Sequence, residues 1–213
     1  MTGWVLEWTR KEKKLEEKQE WYTFVKKFVP TATIETKTET QSCHVKWKDS
    51  IEKHEKKLVE TMIVWNGNGI RARWAGKSEL KELVKTSNPD VLCFLEGKTD
   101  IDNLLKLEGF DEWIRETGYK HLYCYCSKKE FGANVYGNEG IVLFSKVECE
   151  KITYGTGHPE MDRQARVMTA EFADNIMIFT YNPQGGFEAR SLEYRKNWEA
   201  EMSRYLEKMT LES

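Results

Sequence analysis

From Met62 to the C-terminus, short apolar runs alternate with amphipathic stretches, and nothing else in the chain constrains its fold as strongly. The apolar runs are Met62–Trp65, Val91–Leu95, His121–Cys126, Ile141–Phe144, Ile152–Tyr154, Val167–Phe172 and Ile176–Tyr181. Each has strand length and is rich in β-branched or aromatic residues. Between them, Ser78–Thr86, Ile101–Leu107, Asp111–Thr117 and Ala189–Met209 carry helical spacing. Ala173-Asp174-Asn175 joins two of the strands as a hairpin turn. Crossovers and hairpins in one chain predict a mixed α/β or α+β fold, not a doubly wound parallel sheet.

Residues 1–60 have a different texture. Lys11 to Lys18 interleaves acids and bases at helical i,i+4 spacing, and Trp21, Phe24, Val25 and Phe28 then form one apolar helical stripe ended by Pro30. Thr31 to Thr40 lacks apolar alternation and reads as a linker in preference to an exposed strand, while Lys46 to Glu60 reads as a second solvated helix. The expected organisation is therefore a charged, mostly helical or disordered extension over 1–60, followed by a domain over 61–213. A DNA-binding arm in the extension is the alternative, against which acids stand between the lysines.

No run approaches the roughly 18 apolar residues needed to span a bilayer, and Met1 to Arg10 lacks the pattern of a secretory signal. The expectation is an intracellular protein, nuclear or cytoplasmic, without membrane association. Five scattered cysteines suit a reducing compartment, with Cys124 and Cys126 as core thiols. Net charge is −2, so attraction to phosphates must come from a local patch and not from the whole surface.

Three strand ends carry polar residues that core packing does not demand. Ile63-Val64-Trp65 runs into Asn66-Gly67-Asn68-Gly69, leaving Asn66 at a strand tip before a sharp turn. Val91 to Leu95 ends abruptly in Glu96-Gly97-Lys98. An ionised glutamate there is costly unless a cation or hydrogen bonds compensate it, and a hard ion such as Mg²⁺ seeks that kind of oxygen ligand. A rim salt bridge to Lys98 is the plainer alternative. Ile178-Phe179-Thr180 breaks into Tyr181-Asn182-Pro183-Gln184, which leaves the Tyr181 hydroxyl near the same rim or packed over the loop.

Taken together and in order, these segments resemble the exonuclease III and AP endonuclease family of the endonuclease/exonuclease/phosphatase superfamily. Trp65 to Ala72 is similar to W-N-x-x-G-[LI]-R-A, and Pro89 to Lys98 to P-D-[IV]-L-C-L-Q-E-[ST]-K. Gly140 to Lys146, Asp162 to Glu171 (with Arg166 on the family's arginine), Thr180 to Pro183 and Ser191 to Trp198 resemble four further family blocks. The resemblance implies a four-layer β-sandwich flanked by helices. It implies that Asn66 and Glu96 hold Mg²⁺, with Mn²⁺ as a substitute, and that Tyr181 is the catalytic tyrosine. Arg71, Arg73, Lys77 and Lys98 cluster near the same rim and are candidates to meet DNA phosphates, with a solvated surface charge the plainer reading of each alone, and Gln184 stands where the family commonly has a phosphate-contacting asparagine. The implied activity is Mg²⁺-dependent hydrolysis of DNA phosphodiesters in base excision repair, on DNA with abasic sites or 3′ ends.

The pattern also departs from the family. Gly97, Gln164-Ala165 and Gln184 stand where the family has Ser/Thr, Glu-Gly and Asn. The family's later G-D-x-N and S-D-H segments have no counterpart, and the four histidines do not replace them. The expectation is a truncated homologue with its C-terminal half missing. The alternative is a catalytically inactive fragment or a DNA- or protein-binding module, and a less favoured one is a phosphoinositide- or phospholipid-directed relative. Truncation further predicts an inner sheet face left bare, with instability, self-association through that face, or cover from the N-terminal extension.

Overall fold

The computed structural model describes residues 32–36, 42–47, 58–75, 78–99, 101–126, 140–185 and 189–212. In chain order the strands are β1 (Ala32–Thr36), β2 (Ser42–Trp47), β3 (Met62–Asn66), β4 (Val91–Leu95), β5 (His121–Tyr125), β6 (Ile141–Ser145), β7 (Lys151–Tyr154), β8 (Val167–Glu171) and β9 (Ile176–Thr180). The helices are α1 (Ile70–Trp74), α2 (Glu79–Ser87), α3 (Ile101–Leu105), α4 (Phe110–Thr117), α5 (Pro159–Asp162) and α6 (Ala189–Glu212).

Two sheets form. The larger runs β1-β2-β5-β6-β4-β3, and the smaller runs β7-β8-β9. Only β3 and β4 pair in parallel, with Asn66 opposite Leu95, because α1 and α2 carry the chain across between them. Every other ladder is antiparallel. The hairpin turn closes as expected, with the Phe172 amide donating to the Asn175 carbonyl at 2.8 Å. At the far end from the strand tips, Asp90 accepts from the Glu60 and Thr61 amides, each at 2.9 Å, and so fixes the start of β3 against β4.

Strand alternation divides the apolar residues between two cores. On one face, Phe144 meets Phe110, Trp113 and Tyr119 at ring separations of 6.2, 5.6 and 5.8 Å, which seats α4 on the larger sheet. Full burial of a side chain such as Phe144 is worth roughly 1.5–3 kcal/mol. On the other face, Met168, Ala170, Phe172 and Phe179 of the smaller sheet and its turn join the core of the larger one. Tyr125 crosses the gap, its ring 5.7 Å from Tyr154 and its hydroxyl donating to the Asp162 carbonyl at 2.9 Å. Beyond the smaller sheet, Trp198, Met202 and Tyr205 of α6 pack with Val167 and Met161, and Tyr205 meets Thr169 in a buried 2.6 Å hydrogen bond. The layers are thus helices, sheet, sheet, helix, as the sequence implied.

Three expectations are corrected. Residues 32–36, read as part of a linker, are a strand paired in register with β2, and β2 in turn lies on β5. The ladder supplies what the sequence pattern lacked, because a strand at the end of a sheet needs no apolar alternation to satisfy its backbone. The inner face of the larger sheet, expected to be bare, is covered by β7-β8-β9. The helix read before residue 31 lies outside the described residues; of the helix read over Lys46 to Glu60, Lys46 and Trp47 belong instead to β2, residues 58–60 are not helical, and 48–57 lie outside the described residues. No helix among the described residues is long and apolar enough to cross a membrane.

Candidate active-site crevice

The crevice is built where the tips of β3, β4 and β9 meet. Gly67 allows this meeting, since a Cβ at that position would lie 2.2 Å from Cζ of Phe94 on the neighbouring strand. The turn after β3 is tied to the turn after β4 by two backbone bonds, from the Gly69 amide to the Glu96 carbonyl at 2.8 Å and from the Ile70 amide to the Gly97 carbonyl at 3.0 Å. A third, from the Gly97 amide to the Gly140 carbonyl at 3.1 Å, ties in the entry to β6. Glu96 and Lys98 both adopt left-handed backbone, with φ of 58° and 46°.

That conformation aims the Glu96 carboxylate into the crevice. Asn66 Nδ2 donates to its Oε1 at 2.7 Å, and Lys98 Nζ lies 3.2 Å from its Oε2. The Tyr181 hydroxyl donates to it from β9's end. Desolvation raises the Glu96 pKa, but the bonds from Asn66, Tyr181 and Lys98 and the charge of Lys98 outweigh it, so the carboxyl sits below its ordinary value. Burial and the neighbouring Glu96 carboxylate push the Tyr181 phenol up to about 12. Tyr181 is therefore a hydrogen-bond donor at neutral pH.

Arg166 locks Tyr181 from behind. Its guanidinium lies 4.7 Å from the Tyr181 ring centroid and donates to the Tyr181 carbonyl at 3.1 Å, while its Nε donates to Gln164 at 2.6 Å. The Tyr181 amide returns a bond to the Arg166 carbonyl at 2.8 Å. The resulting crevice, about 660 Å³, is lined in part by Glu96, Lys98, Arg166, Tyr181, Gln184 and Tyr194.

Of the residues singled out from sequence, Asn66, Glu96, Lys98, Tyr181 and Gln184 come together here. The two remaining arginines do not. Arg71 is exposed on α1 outside the lining, and Arg73 is engaged by the Gly67 carbonyl and Glu79, both at 2.7 Å. Lys77 lies outside the described residues. Arg166, Gln164 and Tyr194 were not among the site candidates. For Arg166 the signal was present, since it matched a family arginine, but its role depends on a contact across the β8–β9 hairpin that spacing alone does not reveal.

Oxygen donors suit a hard divalent cation, and Glu96 offers a partly buried carboxylate at the strand tip. It is the one carboxylate among the described residues lining the crevice, and no cluster of three or more His, Cys, Asp or Glu forms among the described residues. The donor set therefore fits an ion such as Mg²⁺, which is commonly held by one or two carboxylates, waters and substrate phosphate.

Residues 63–208 match the Endonuclease/Exonuclease/phosphatase family. The chain is 34% identical over 143 residues to the DNA repair nuclease APEX1 of Danio rerio, covering 67% of this chain and 42% of that protein. It is 30% identical over 145 residues to an exodeoxyribonuclease of Bacillus subtilis, covering 68% and 51%. The fold is similar to that of an AP endonuclease from Archaeoglobus fulgidus, with TM-score 0.51 and 26% identity over 68% of this chain and 49% of that one. A 3′-5′ exonuclease from Neisseria meningitidis gives TM-score 0.52 at 22% identity, over 70% and 52%. The chain thus spans about half the length, or less, of these relatives.

Proposed function

The chain belongs to the Endonuclease/Exonuclease/phosphatase family, and from that premise we propose that its crevice binds a divalent cation together with a DNA phosphodiester and supports hydrolysis of that ester. The observation that carries this reading is the convergence of Asn66, Lys98 and Tyr181 on the Glu96 carboxylate at one crevice. The names of the relatives, a DNA repair nuclease and an exodeoxyribonuclease, support DNA as the substrate class. Abasic sites and 3′ ends are the DNA features proposed, and Mg²⁺ the metal, with Mn²⁺ able to replace it. The setting is intracellular, nuclear or cytoplasmic, where the thiols of Cys93, Cys124, Cys126 and Cys149 stay reduced.

In the proposed mechanism Glu96 is the metal-holding carboxylate and Asn66 fixes its rotamer. A bound Mg²⁺ supplies Lewis-acid polarisation of the phosphoryl oxygen. Tyr181 presents its phenolic proton at the rim, where it serves Glu96 or the phosphate. Lys98 and Gln184 offer donors to phosphate oxygens, and Arg166 keeps Tyr181 in place. A preorganised donor of this type is typically worth about 3–4 kcal/mol in the transition state.

A second reading is that the crevice binds DNA without cutting it. The single carboxylate in the described lining favours it, because water activation commonly needs a further base. Incision of an abasic-site duplex with Mg²⁺, beside the same reaction with Glu96→Ala and with chelator, separates the two. Cleavage lost in both controls supports hydrolysis. Equal background in all three, with DNA binding retained by fluorescence anisotropy, establishes the binding module. Absence of both cleavage and binding rejects both readings.

A further inference from the structure

The proposed hydrolysis gives no part to Gln164, yet Gln164 lines the crevice beside Arg166 and Tyr181 and accepts from Arg166 Nε at 2.6 Å. We propose that Gln164 is a positioning residue that holds Arg166 through a neutral acceptor, so that the guanidinium charge strengthens the crevice's hold on a DNA phosphate. The inference rests on the reading of the crevice as a DNA phosphodiester site, and it names a residue that sets the charge of that site.

The turn that carries Gln164 is fixed from several sides. The Gln164 amide donates to the Met161 carbonyl at 3.2 Å, and the Ala165 amide donates to the Asp162 carbonyl at 3.1 Å. Asp162 is itself tied to β5 through the Tyr125 hydroxyl, and its carboxylate accepts from the Thr156 and Gly157 amides. Ala165 is fully buried with φ of 51°, a left-handed backbone that a residue bearing Cβ adopts only where its surroundings impose it. The turn thereby delivers the Gln164 side chain to Arg166, one residue before β8 begins.

A carboxylate and a carboxamide oxygen orient a guanidinium alike but differ in field. A glutamate at this position would answer Arg166 with a full negative charge, whereas the glutamine oxygen accepts the same bond and adds none. Among the described lining residues, Lys98 and Arg166 are cationic and Glu96 is anionic, so the balance favours an anion. Arg166 is buried, and its charge therefore acts through a medium of lower dielectric than water. Its reach is visible at Tyr181, where the charge and hydrogen bond of Arg166 pull the phenol down against the rise imposed by burial and Glu96. A phosphate at the same rim meets the same field. One added negative charge would oppose that phosphate and reduce the counterions released when DNA binds.

The test follows binding of a fluorescein-labelled abasic-site duplex by fluorescence anisotropy, with chelator present and across a potassium chloride series. It compares the full chain with Gln164→Glu and Gln164→Ala, and urea midpoints of all three are measured alongside. Gln164→Glu keeps the acceptor, so its midpoint should equal or exceed that of the wild type. Its affinity for the duplex should nevertheless fall by about fivefold or more at low salt. The slope of log affinity against log salt should become shallower by about one. Gln164→Ala loses the acceptor but adds no charge, so it should keep the wild-type slope even where its midpoint falls. Wild-type affinity and slope in Gln164→Glu overturn the proposal and leave the DNA reading standing. Weaker binding with an unchanged slope, or an equal loss of slope in Gln164→Ala, makes Gln164 a purely structural residue and overturns it as well. Absence of DNA binding by the wild type overturns the DNA reading itself, and the proposal with it.

Discussion

Gly67→Ala tests whether the crevice depends on close contact between two strand tips. An added Cβ would lie 2.2 Å from Cζ of Phe94 and 2.8 Å from both Cε atoms. To reach even 3.0 Å, the ring must retreat by about 0.8 Å, and close-packed interiors resist such shifts. Phe94 has no solvent exposure and meets Trp65 edge-on at 5.0 Å, so retreat compresses a second aromatic ring. Over-packing of this kind costs about 1–3 kcal/mol, and each kcal/mol lowers the melting temperature of a chain this size by roughly 2–4 °C. Urea denaturation of the wild type, Gly67→Ala, Phe94→Leu and the double variant measures this directly. Phe94→Leu alone should cost about 1–2 kcal/mol from lost burial, but in the Gly67→Ala background it should cost less, because it relieves the clash. The cycle should give a favourable coupling of about 1 kcal/mol or more. A Gly67→Ala penalty below about 0.5 kcal/mol, within the range of neutral surface changes, or strict additivity in the cycle, would refute the reasoning.

Three further outcomes follow from other parts of the molecule. Burial lowers the His121 pKa to about 4, partly opposed by Glu148. Its folded value is below its unfolded value of about 6.5, so its stabilising contribution is present above pH 6.5 and is lost as pH falls toward 4, by at most about 3 kcal/mol; urea midpoints should fall across that window in the wild type and fall less in His121→Gln. Tyr181→Phe removes one donor from Glu96, so the carboxyl should titrate higher than in the wild type when followed by carbon-13 NMR, and an unchanged titration would dissociate the two groups. Asp162 accepts from the Thr156 and Gly157 amides, each at 2.8 Å; Asp162→Ala should cost about 1–3 kcal/mol by leaving partly buried donors unpaired, visible as faster hydrogen exchange over 155–162.

The strands of the larger and smaller sheets from Met62 onward were legible because each is a compact apolar run, and Val91–Leu95 was bounded to the residue. Asn66, Glu96 and Tyr181 were legible for a related reason, since each is a polar residue at the abrupt end of such a run. What escaped was structure defined by partners far along the chain. β1 carries only Ala32 and Ile34 as apolar residues among threonines and a glutamate, too weak a pattern to mark a strand, and is fixed as one by pairing with β2. The four-residue α5 and five-residue α1 are too short for a helical period to show. Arg73, a natural phosphate ligand by charge and neighbourhood, is drawn away by the Gly67 carbonyl and Glu79, and sequence spacing carries no information about that competition. The bare inner face was overestimated because β7, β8 and β9 already pack their apolar residues into the core of the larger sheet.

Backbone strain links fold to site. Asn68, Glu96 and Lys98 have φ of 52°, 58° and 46°, so three of the described non-glycine residues in left-handed conformation gather at one crevice. Each such residue costs of the order of 1–3 kcal/mol, and the loops would relax if nothing opposed it. What opposes it is the backbone stitching from Gly69, Ile70 and Gly97, together with the Lys98 bond to Asn68 and the Asn66 bond to Glu96. The Glu96 side chain is thereby held in the crevice by the fold before any cation arrives. A flexible carboxylate would lose rotamer freedom on binding an ion, whereas this one has already lost it during folding. Weakening the stitching should therefore loosen ion binding even where every liganding group is retained. Gly67→Ala meets that condition, since it displaces Phe94 and the strand tip while leaving Glu96 and Asn66 chemically intact.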